Sequence, residues 1–337
     1  MTLVDRLWYG QRRPLWPLWP LAWLYRRIAA RRRRQGLALA AGRQLPAPVI
    51  VVGNITAGGT GKSPLTAWLV DFLRDQGWRP VILTRGYGGT SSRYPLLVTP
   101  TTDPAEGGDE PVMLAQQTGV PVVVDPDRYQ GGRWALEQDL GDVLVCDDGL
   151  QHYRLPRDLE LAVVDARRGF GNGAPIPVGP LREPPERLDS VDFVIANGEA
   201  LPAIAHPRQV VMNLQPAVLR HLYTGKTCPL TDLAGRKVRA VAGIGNPVRF
   251  FETLEHLGAR VRGRALPDHH RFSAADLETG PDEWLVMTAK DAVKCRALGE
   301  GRGGETAHWV LEVSASLPED FGATLLDRLG KVPSASK

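Results

Sequence analysis

The stretch from Val49 to Pro64, VIVVGNITAGGTGKSP, constrains the fold of this chain more than any other stretch. Its apolar residues run into a glycine-rich turn, which ends in Gly61-Lys62-Ser63 and leads into an amphipathic segment. A buried strand, a glycine loop and a helix start in this order form a cradle for phosphate groups, because glycines let backbone N–H groups approach an anion closely. The strict pattern has glycine where this chain has Thr56, and an ordinary glycine turn is the alternative interpretation.

This cradle also predicts how a nucleotide would be held. The start of the following helix adds the positive end of its dipole. Lys62 would reach the β- and γ-phosphates, and the Ser63 hydroxyl would bind Mg²⁺. The predicted nucleotide-binding residues are Gly58, Gly59, Thr60, Gly61, Lys62 and Ser63.

Short apolar runs alternate with helical stretches from residue 49 onward, which is typical of an α/β sheet. The predicted helices are Ser63–Gln76 and Asp109–Gln117. The predicted strands are Val49–Val52, Val81–Leu83, Val122–Val124, Val143–Cys146, Leu161–Val164 and Phe193–Ala196. Repeated βα units predict a parallel sheet with ligands at the carboxyl ends of its strands. The Gly-, Pro- and Arg-rich stretch 167–187 is predicted to be a long functional loop.

The α/β pattern lapses around 215–235 and then resumes. Strand signals at Val210–Leu214 and Leu222–Thr224 suggest a connecting ribbon. Further elements are predicted at Val238–Ala242, in a helix after Pro247, at Trp284–Thr288, at Trp309–Val313 and in a final helix near 317–329. The length of 337 residues suits two domains or one large one. The predicted division is an N-terminal segment 1–48, a P-loop domain 49–214, a ribbon 215–235 and a smaller α/β domain 236–337.

The N-terminal segment is basic and aromatic. Residues 1–48 carry ten arginines and one aspartate, a net charge of +9, which leaves −5 on the rest of a chain of net charge +4. The apolar run 14–25, PLWPLWPLAWLY, is shorter than the roughly 20 residues that span a bilayer. Tryptophans favour the headgroup zone and flanking arginines favour anionic lipid, so we expect contact with a membrane surface. A signal peptide, a nucleic-acid arm and a basic helix packed on the body are the alternatives.

The three cysteines, Cys146, Cys228 and Cys295, are widely spaced and include no Cys-x-x-Cys pair. This spacing suggests neither a disulfide framework nor a zinc site, so a reducing compartment is expected.

Carboxylates follow the predicted strand Val143–Cys146 as Asp147-Asp148, with Gln151 and His152 close behind. An acidic residue at the end of an apolar strand is the usual partner of a phosphate loop, because it holds Mg²⁺ or its water. An Asp-Gly turn is the alternative interpretation.

Two further sets of residues are candidates for proton transfer and anion binding. Asp109 and Glu110 begin a predicted helix, where they would either cap it or supply a base and a metal ligand. The Asp268-His269-His270 run pairs a carboxylate with imidazoles in a predicted loop, a combination that handles protons. The candidates for a second anion site are Arg85, Arg167, Arg168, Arg182 and Lys290.

Seven short motifs follow one another over most of the chain: GGTGKSP, RGYGG, GDEP, DDGLQH, GIGNP, DHHRF and TAKDAVKC. Together they resemble the tetraacyldisaccharide 4′-kinase family, the lipid A 4′-kinases. The resemblance implies transfer of the ATP γ-phosphate to the 4′-hydroxyl of a tetraacyl disaccharide 1-phosphate at the inner membrane. It also implies two α/β domains joined by a β-ribbon, with an N-terminal membrane-associating helix.

The resemblance assigns a role to each matching position. Asp109 matches the proposed base, His269 the histidine that partners it, and Lys62 the lysine of the phosphate loop. The implied metal ligands are Ser63, Glu110, Asp147, Asp148 and Gln151. The implied substrate-binding residues are Arg85, Tyr87, His152 and Lys290. Two positions depart from the pattern: Ala289 replaces an expected Glu, and Ser63 replaces a frequent Thr but keeps the hydroxyl.

The sequence therefore predicts an ATP- and Mg²⁺-dependent lipid kinase whose partners are its lipid disaccharide 1-phosphate and a membrane surface, with no nucleic acid. The expected location is the cytoplasmic face of the bacterial inner membrane. A membrane-associated regulatory or partitioning ATPase is the alternative, because GGTGK also resembles the loop of that group. A non-catalytic binding protein is disfavoured by the combination of Lys62, Ser63 and Asp147.

Overall fold

The computed structural model describes residues 3–10, 16–267, 270–299 and 306–330. The strands are β1 Val49–Gly53, β2 Pro80–Thr84, β3 Leu96–Val98, β4 Val122–Val124, β5 Val143–Cys146, β6 Leu159–Asp165, β7 Phe193–Asn197, β8 Gln209–His221, β9 Thr227–Cys228, β10 Lys237–Ala242, β11 Arg260–Ala265, β12 Glu283–Thr288 and β13 His308–Ser316. The α-helices are α1 Leu3–Trp8, α2 Trp19–Ala40, α3 Lys62–Asp75, α4 Pro104–Gly107, α5 Asp109–Thr118, α6 Arg128–Glu137, α7 Pro247–His256, α8 Ala289–Cys295 and α9 Glu319–Gly330.

Eight strands form the first part of the sheet, in the order β8-β7-β6-β1-β5-β2-β4-β3. Every neighbouring pair is parallel except β3 and β4. The residues of β1, β5 and β6 are all buried, because apolar clusters pack on both faces of these strands. The prediction of a mostly parallel α/β sheet is confirmed, and the loop after β1 lies near the middle of its carboxyl edge.

Four further strands continue the same sheet in the order β11-β10-β12-β13, with every pair among them parallel. Strand β9 pairs antiparallel with β8. Strand β8 joins the two sets. Its residues 209–212 run parallel to β7, and its residues 213–221 run antiparallel to β13. The β8–β13 register shifts between Glu312 and Val313, where a bulge bends the ladder.

The two strand signals expected around residues 210–224 are corrected by this arrangement. Strand β8 is continuous from Gln209 to His221, and the predicted strand Leu222–Thr224 is a turn instead. Gly225, with φ +70°, donates its N–H to the His221 carbonyl at 3.0 Å and closes that turn. Leu222 is apolar because it packs in a core beneath the turn, so its hydrophobicity does not mark a strand.

Strand β11 was not predicted, because its sequence, RVRGRA, lacks the run of large apolar residues that indicates a strand. It is the edge strand of the sheet, and its three arginines are exposed. Charged side chains on an edge strand discourage pairing with other chains, which explains a strand of this composition.

The N-terminal helix α2 packs on the body through few residues and exposes large apolar side chains. Gly36 lies so close to Tyr153 that an added Cβ would be 2.5 Å from the Tyr153 Cβ. Trp16 and Trp23 are 79% and 58% exposed, and the Arg27 guanidinium lies 4.6 Å from the Trp23 ring centroid. Among the helices in the described part of the chain, none is both long and apolar enough to cross a bilayer.

Candidate active site

The phosphate loop is held in shape by two asparagines, Asn54 just after β1 and Asn197 at the end of β7. Gly61 caps α3 with φ +97°, and a Cβ there would lie 2.6 Å from the amide nitrogen of Asn197. That amide donates to the Thr60 carbonyl at 2.9 Å, and the Asn54 amide donates to the Thr60 hydroxyl at 3.2 Å. Only glycine fits at position 61, and the protein's own side chains hold the shape of the loop.

Lys62 and Ser63 are the first two residues of α3, as a phosphate cradle requires. Lys62 Nζ lies 3.5 Å from Asp148 Oδ1, and Arg182 Nη1 lies 3.1 Å from the same oxygen. Burial alone would raise the pKa of Asp148, but Lys62 and Arg182 outweigh it and hold this pKa at about 2. Asp148 therefore stays ionised and keeps both cations at the mouth of the loop.

Asp147 has the opposite electrostatic environment. Its side chain is buried, and Oδ1 accepts a hydrogen bond from the Thr66 hydroxyl at 2.8 Å. Its other oxygen, Oδ2, is buried and has no hydrogen-bond partner within the described residues. Burial and the nearby Glu110 carboxylate raise the pKa of Asp147 to about 7, although Lys62 opposes this rise. An unpartnered buried carboxylate oxygen beside a phosphate loop fits a cation ligand.

Gln151 belongs to a polar network that the sequence did not reveal. Its amide nitrogen donates to the Asn54 carbonyl at 2.8 Å and to Glu183 Oε1 at 2.7 Å. Glu183 is buried, and its other oxygen accepts a hydrogen bond from the Tyr153 hydroxyl. The network connects the phosphate loop to the tyrosine on which α2 packs. The only sequence signal for Glu183 was its place in the Gly-, Pro- and Arg-rich loop.

The predicted substrate-binding residues come from three parts of the chain. His152 Nδ1 lies 3.3 Å from Arg128 Nη1, and burial and that arginine lower the His152 pKa to about 3. Arg85 and Tyr87 follow β2 and are exposed, Tyr87 at 66%. Lys290 is in α8, not in a loop, and pairs with Glu110.

The predicted base, Asp109, is the first residue of α5 and faces α8. Lys294 Nζ is 3.5 Å from Asp109 Oδ2, and Lys290 Nζ is 3.0 Å from Glu110 Oε1. The GDEP and TAKDAVKC motifs therefore meet. The predicted partner of the base, His269, lies outside the described residues.

The carboxyl edges of the two strand sets also meet at the phosphate loop. A Cβ added at Gly245, after β10, would lie 3.1 Å from the Gly59 nitrogen. Arg168, after β6, donates to the Gly245 carbonyl at 2.7 Å and lies 4.9 Å from the Tyr9 ring centroid. The Tyr9 hydroxyl in turn donates to the Ala57 carbonyl at 3.3 Å. Residues after both strand sets and after α1 therefore surround one loop.

A glycine-rich phosphate loop at the carboxyl edge of a mostly parallel sheet, with a buried carboxylate ending the neighbouring strand, defines a P-loop nucleotide-binding α/β protein. Comparison with known proteins narrows this class. The chain belongs to the tetraacyldisaccharide-1-P 4′-kinase family, which matches residues 14–330, and the resemblance seen in the motifs is confirmed.

Relatives of high similarity cover nearly the whole chain. The tetraacyldisaccharide 4′-kinase of Dechloromonas aromatica (strain RCB) is 49% identical over 334 residues, which cover 97% of each protein. That of Pseudomonas aeruginosa (strain LESB58) is 47% identical over 307 residues, covering 88% of this chain and 90% of the relative. The crystal structure of LpxK from Aquifex aeolicus in complex with ATP matches with a TM-score of 0.76 and 28% identity, covering 94% of this chain and 98% of that one.

Proposed function

We propose that this chain transfers the γ-phosphate of ATP to the 4′-hydroxyl of a tetraacyl disaccharide 1-phosphate, a lipid A precursor. The observation that carries the proposal is the meeting of the phosphate loop with the GDEP and DDGLQH motifs. Glu110 is near enough to Asp147 to raise its pKa, and Asp147 follows the strand beside the loop. These contacts support a site in which the proposed nucleotide-binding residues and the proposed base lie near one another, in a chain of this kinase family.

Phosphoryl transfer needs positioning and charge neutralisation more than covalent chemistry. Asp109 would accept or orient the proton of the sugar hydroxyl. The hydroxyl oxygen would attack the γ-phosphorus, and ADP would leave. Lys62 would leave its ion pair with Asp148 and neutralise charge on the transferring phosphoryl group. His269 remains the proposed partner that orients Asp109.

The residues around the loop fit Mg²⁺. The unpartnered Oδ2 of Asp147 and the Ser63 hydroxyl are the ligands we assign, whereas Asp148, Glu110 and Gln151 already have polar partners. In the described ranges, no three acidic, histidine or cysteine side chains converge as a metal cage. This suits Mg²⁺, which keeps waters and nucleotide phosphates among its ligands. Bound there, Mg²⁺ would neutralise charge on the β- and γ-phosphates.

We further propose that α2 and the residues before it lie on the cytoplasmic face of the inner membrane. The exposed Trp16 and Trp23 with the adjoining arginines support this, because such side chains suit the headgroup zone of anionic lipid. We also propose the division into a P-loop domain 49–214, a ribbon 215–235 and a second α/β domain 236–337. Removal of residues 1–34 should weaken flotation with anionic vesicles more than it weakens ATP binding, although it also removes Tyr9 from beside the loop. Equal flotation with and without the segment would contradict the membrane contact.

The function is tested by supplying radiolabelled ATP with and without a tetraacyl disaccharide 1-phosphate dispersed in detergent. The proposal predicts label in the lipid and little phosphate release when lipid is absent. Release of inorganic phosphate at the same rate with and without lipid, with no labelled lipid, would favour the regulatory ATPase instead. Absence of any ATP turnover would contradict both.

A further inference from the structure

Two lysines of α8 lie against the two carboxylates that begin α5. Lys290 pairs with Glu110, and Lys294 pairs with Asp109. Positions 290 and 294 are one helical turn apart, so both side chains leave α8 on the same face. The start of α5 is therefore oriented by an element from the other end of the chain.

The side chain of Lys294 is less exposed than that of Lys290, because other groups surround its ammonium. Its side chain is 11% exposed, and its Nζ lies 3.3 Å from Asp291 Oδ1 and 5.4 Å from the Phe272 ring centroid. Asp291 is itself fully buried. Its Oδ2 accepts hydrogen bonds from the Gly243 N–H at 2.9 Å and the Thr288 hydroxyl at 2.7 Å. A row of contacts thus runs from the loop after β10, through Asp291 and Lys294, to Asp109.

A buried lysine between two carboxylates contributes little net stability to the packing of two helices. Desolvation of the ammonium costs free energy, and well-packed apolar residues often stabilise such a contact as well or better. Retention of the charge is better explained by a task that needs it. In the proposed reaction Asp109 acts beside a highly anionic nucleotide, so a fixed cation that holds its carboxyl group in place would serve the reaction.

We propose that Lys294 is a positioning residue that holds the Asp109 carboxylate in the orientation required by the acceptor hydroxyl. The proposal rests on the proposed function, because it takes Asp109 as the group that receives or orients the hydroxyl proton. The ion pair reaches Oδ2 and so fixes one edge of the carboxylate. The contacts described for Lys294 are outside the phosphate loop, so Lys294 acts on the rate of transfer and leaves ATP binding unchanged.

The test compares Lys294→Met, which removes the ammonium group and keeps an unbranched apolar side chain, with Lys294→Arg, which keeps the charge. The expected result for Lys294→Met is a fall of at least about tenfold in kcat at saturating ATP and lipid. Its KM for ATP should stay within about twofold of the parent value, and Lys294→Arg should recover at least about half of the parent kcat. In an Asp109→Asn background, Lys294→Met should add little further loss, because both act through one carboxylate.

Arg328→Met is the matched control. Arg328 Nη2 lies 2.6 Å from Asp192 Oδ1, just before β7, so this ion pair also joins distant parts of the chain but at the amino edge of the sheet. Its loss should lower the thermal midpoint without lowering kcat. If Lys294→Met keeps a near-normal kcat while Asp109→Asn loses it, the positioning role is refuted and the proposed function stands.

Other outcomes separate the two proposals. A parent protein that labels no lipid, or a normal rate for Asp109→Asn, would refute the proposed function or the role of Asp109 in it. If Lys294→Met does not fold, Lys294→Arg decides. A folded Lys294→Arg protein that is as slow as Asp109→Asn overturns the positioning role, and one above about half of the parent kcat supports it.

Discussion

Asp147→Asn should raise the stability of the metal-free protein, and it should do so more at high pH than at low pH. The side chain is buried, and its Oδ2 has no hydrogen-bond partner among the described residues. Asparagine has nearly the same shape and can still accept the hydrogen bond from Thr66. The substitution therefore removes the charge and the titration while it keeps the packing.

The size of the effect follows from the pKa. Burial and Glu110 raise the pKa of Asp147 from 3.8 to about 7 in the folded protein. A carboxyl whose folded pKa is raised contributes stability that is fully present below its unfolded pKa, and this stability is lost as the pH rises through the folded pKa. Between about pH 5 and pH 8 the parent should lose about 3 kcal/mol that the variant keeps. For a chain of this length that difference corresponds to a shift of about 4 °C in Tm.

Thermal unfolding in the presence of a chelator measures this difference, since bound Mg²⁺ would stabilise the ionised carboxylate. The offset in Tm between Asp147→Asn and parent should grow from about pH 5 to pH 8 and then stay constant. Asp148→Asn is the control, because the pKa of Asp148, held at about 2 against burial by Lys62 and Arg182, gives no titration in this range. Its offset should change much less between the two pH values, since the influence of Asp148 on the pKa of Asp147 is smaller than those of burial, Glu110 and Lys62. An offset for Asp147→Asn that changes equally little would refute the reasoning.

Three further substitutions test the loop and the packing of α2. Lys62→Ala should leave the fold intact and abolish turnover, and a near-normal kcat would contradict the phosphate-loop assignment. Gly61→Ala should weaken ATP binding measured by calorimetry, because the Cβ would overlap Asn197 at a positive φ; unchanged affinity would contradict a pre-shaped loop. Gly36→Ala gains about 1 kcal/mol of helix propensity but overlaps Tyr153 at 2.5 Å, so a net loss of Tm is expected, while Gly42→Ala, with open space, should show none.

The first strand set was predictable from sequence because its signals are local. Buried parallel strands read as short apolar runs, and Val122–Val124 and Val143–Cys146 were predicted with the bounds that the structure has. The glycine loop and Asp147 were predictable for a similar reason: each follows directly on such a run, and parallel strands bring their carboxyl ends to one edge.

The connection between the two strand sets was not predictable, because it depends on partners far apart in sequence. Strand β8 pairs with β7 through its first residues and with β13 through the rest. Its second part therefore has no local pattern that predicts a strand. Glu183 and Lys294 were missed for the same reason. Each is a charged residue in a polar stretch, and only the fold shows that Glu183 is buried and that Lys294 is 11% exposed.

The second strand set positions the chemistry without supplying the phosphate loop. Strand β13 runs antiparallel to β8, yet Gly245, which follows β10, lies beside Gly59 of the phosphate loop. Two contacts of the second set are Gly245 with the loop backbone at Gly59, and Lys294 with Asp109, the proposed base. A change at the Lys294–Asp109 contact should therefore alter the rate of transfer before it alters nucleotide affinity, whereas a larger side chain at position 245 should also disturb the loop backbone at Gly59.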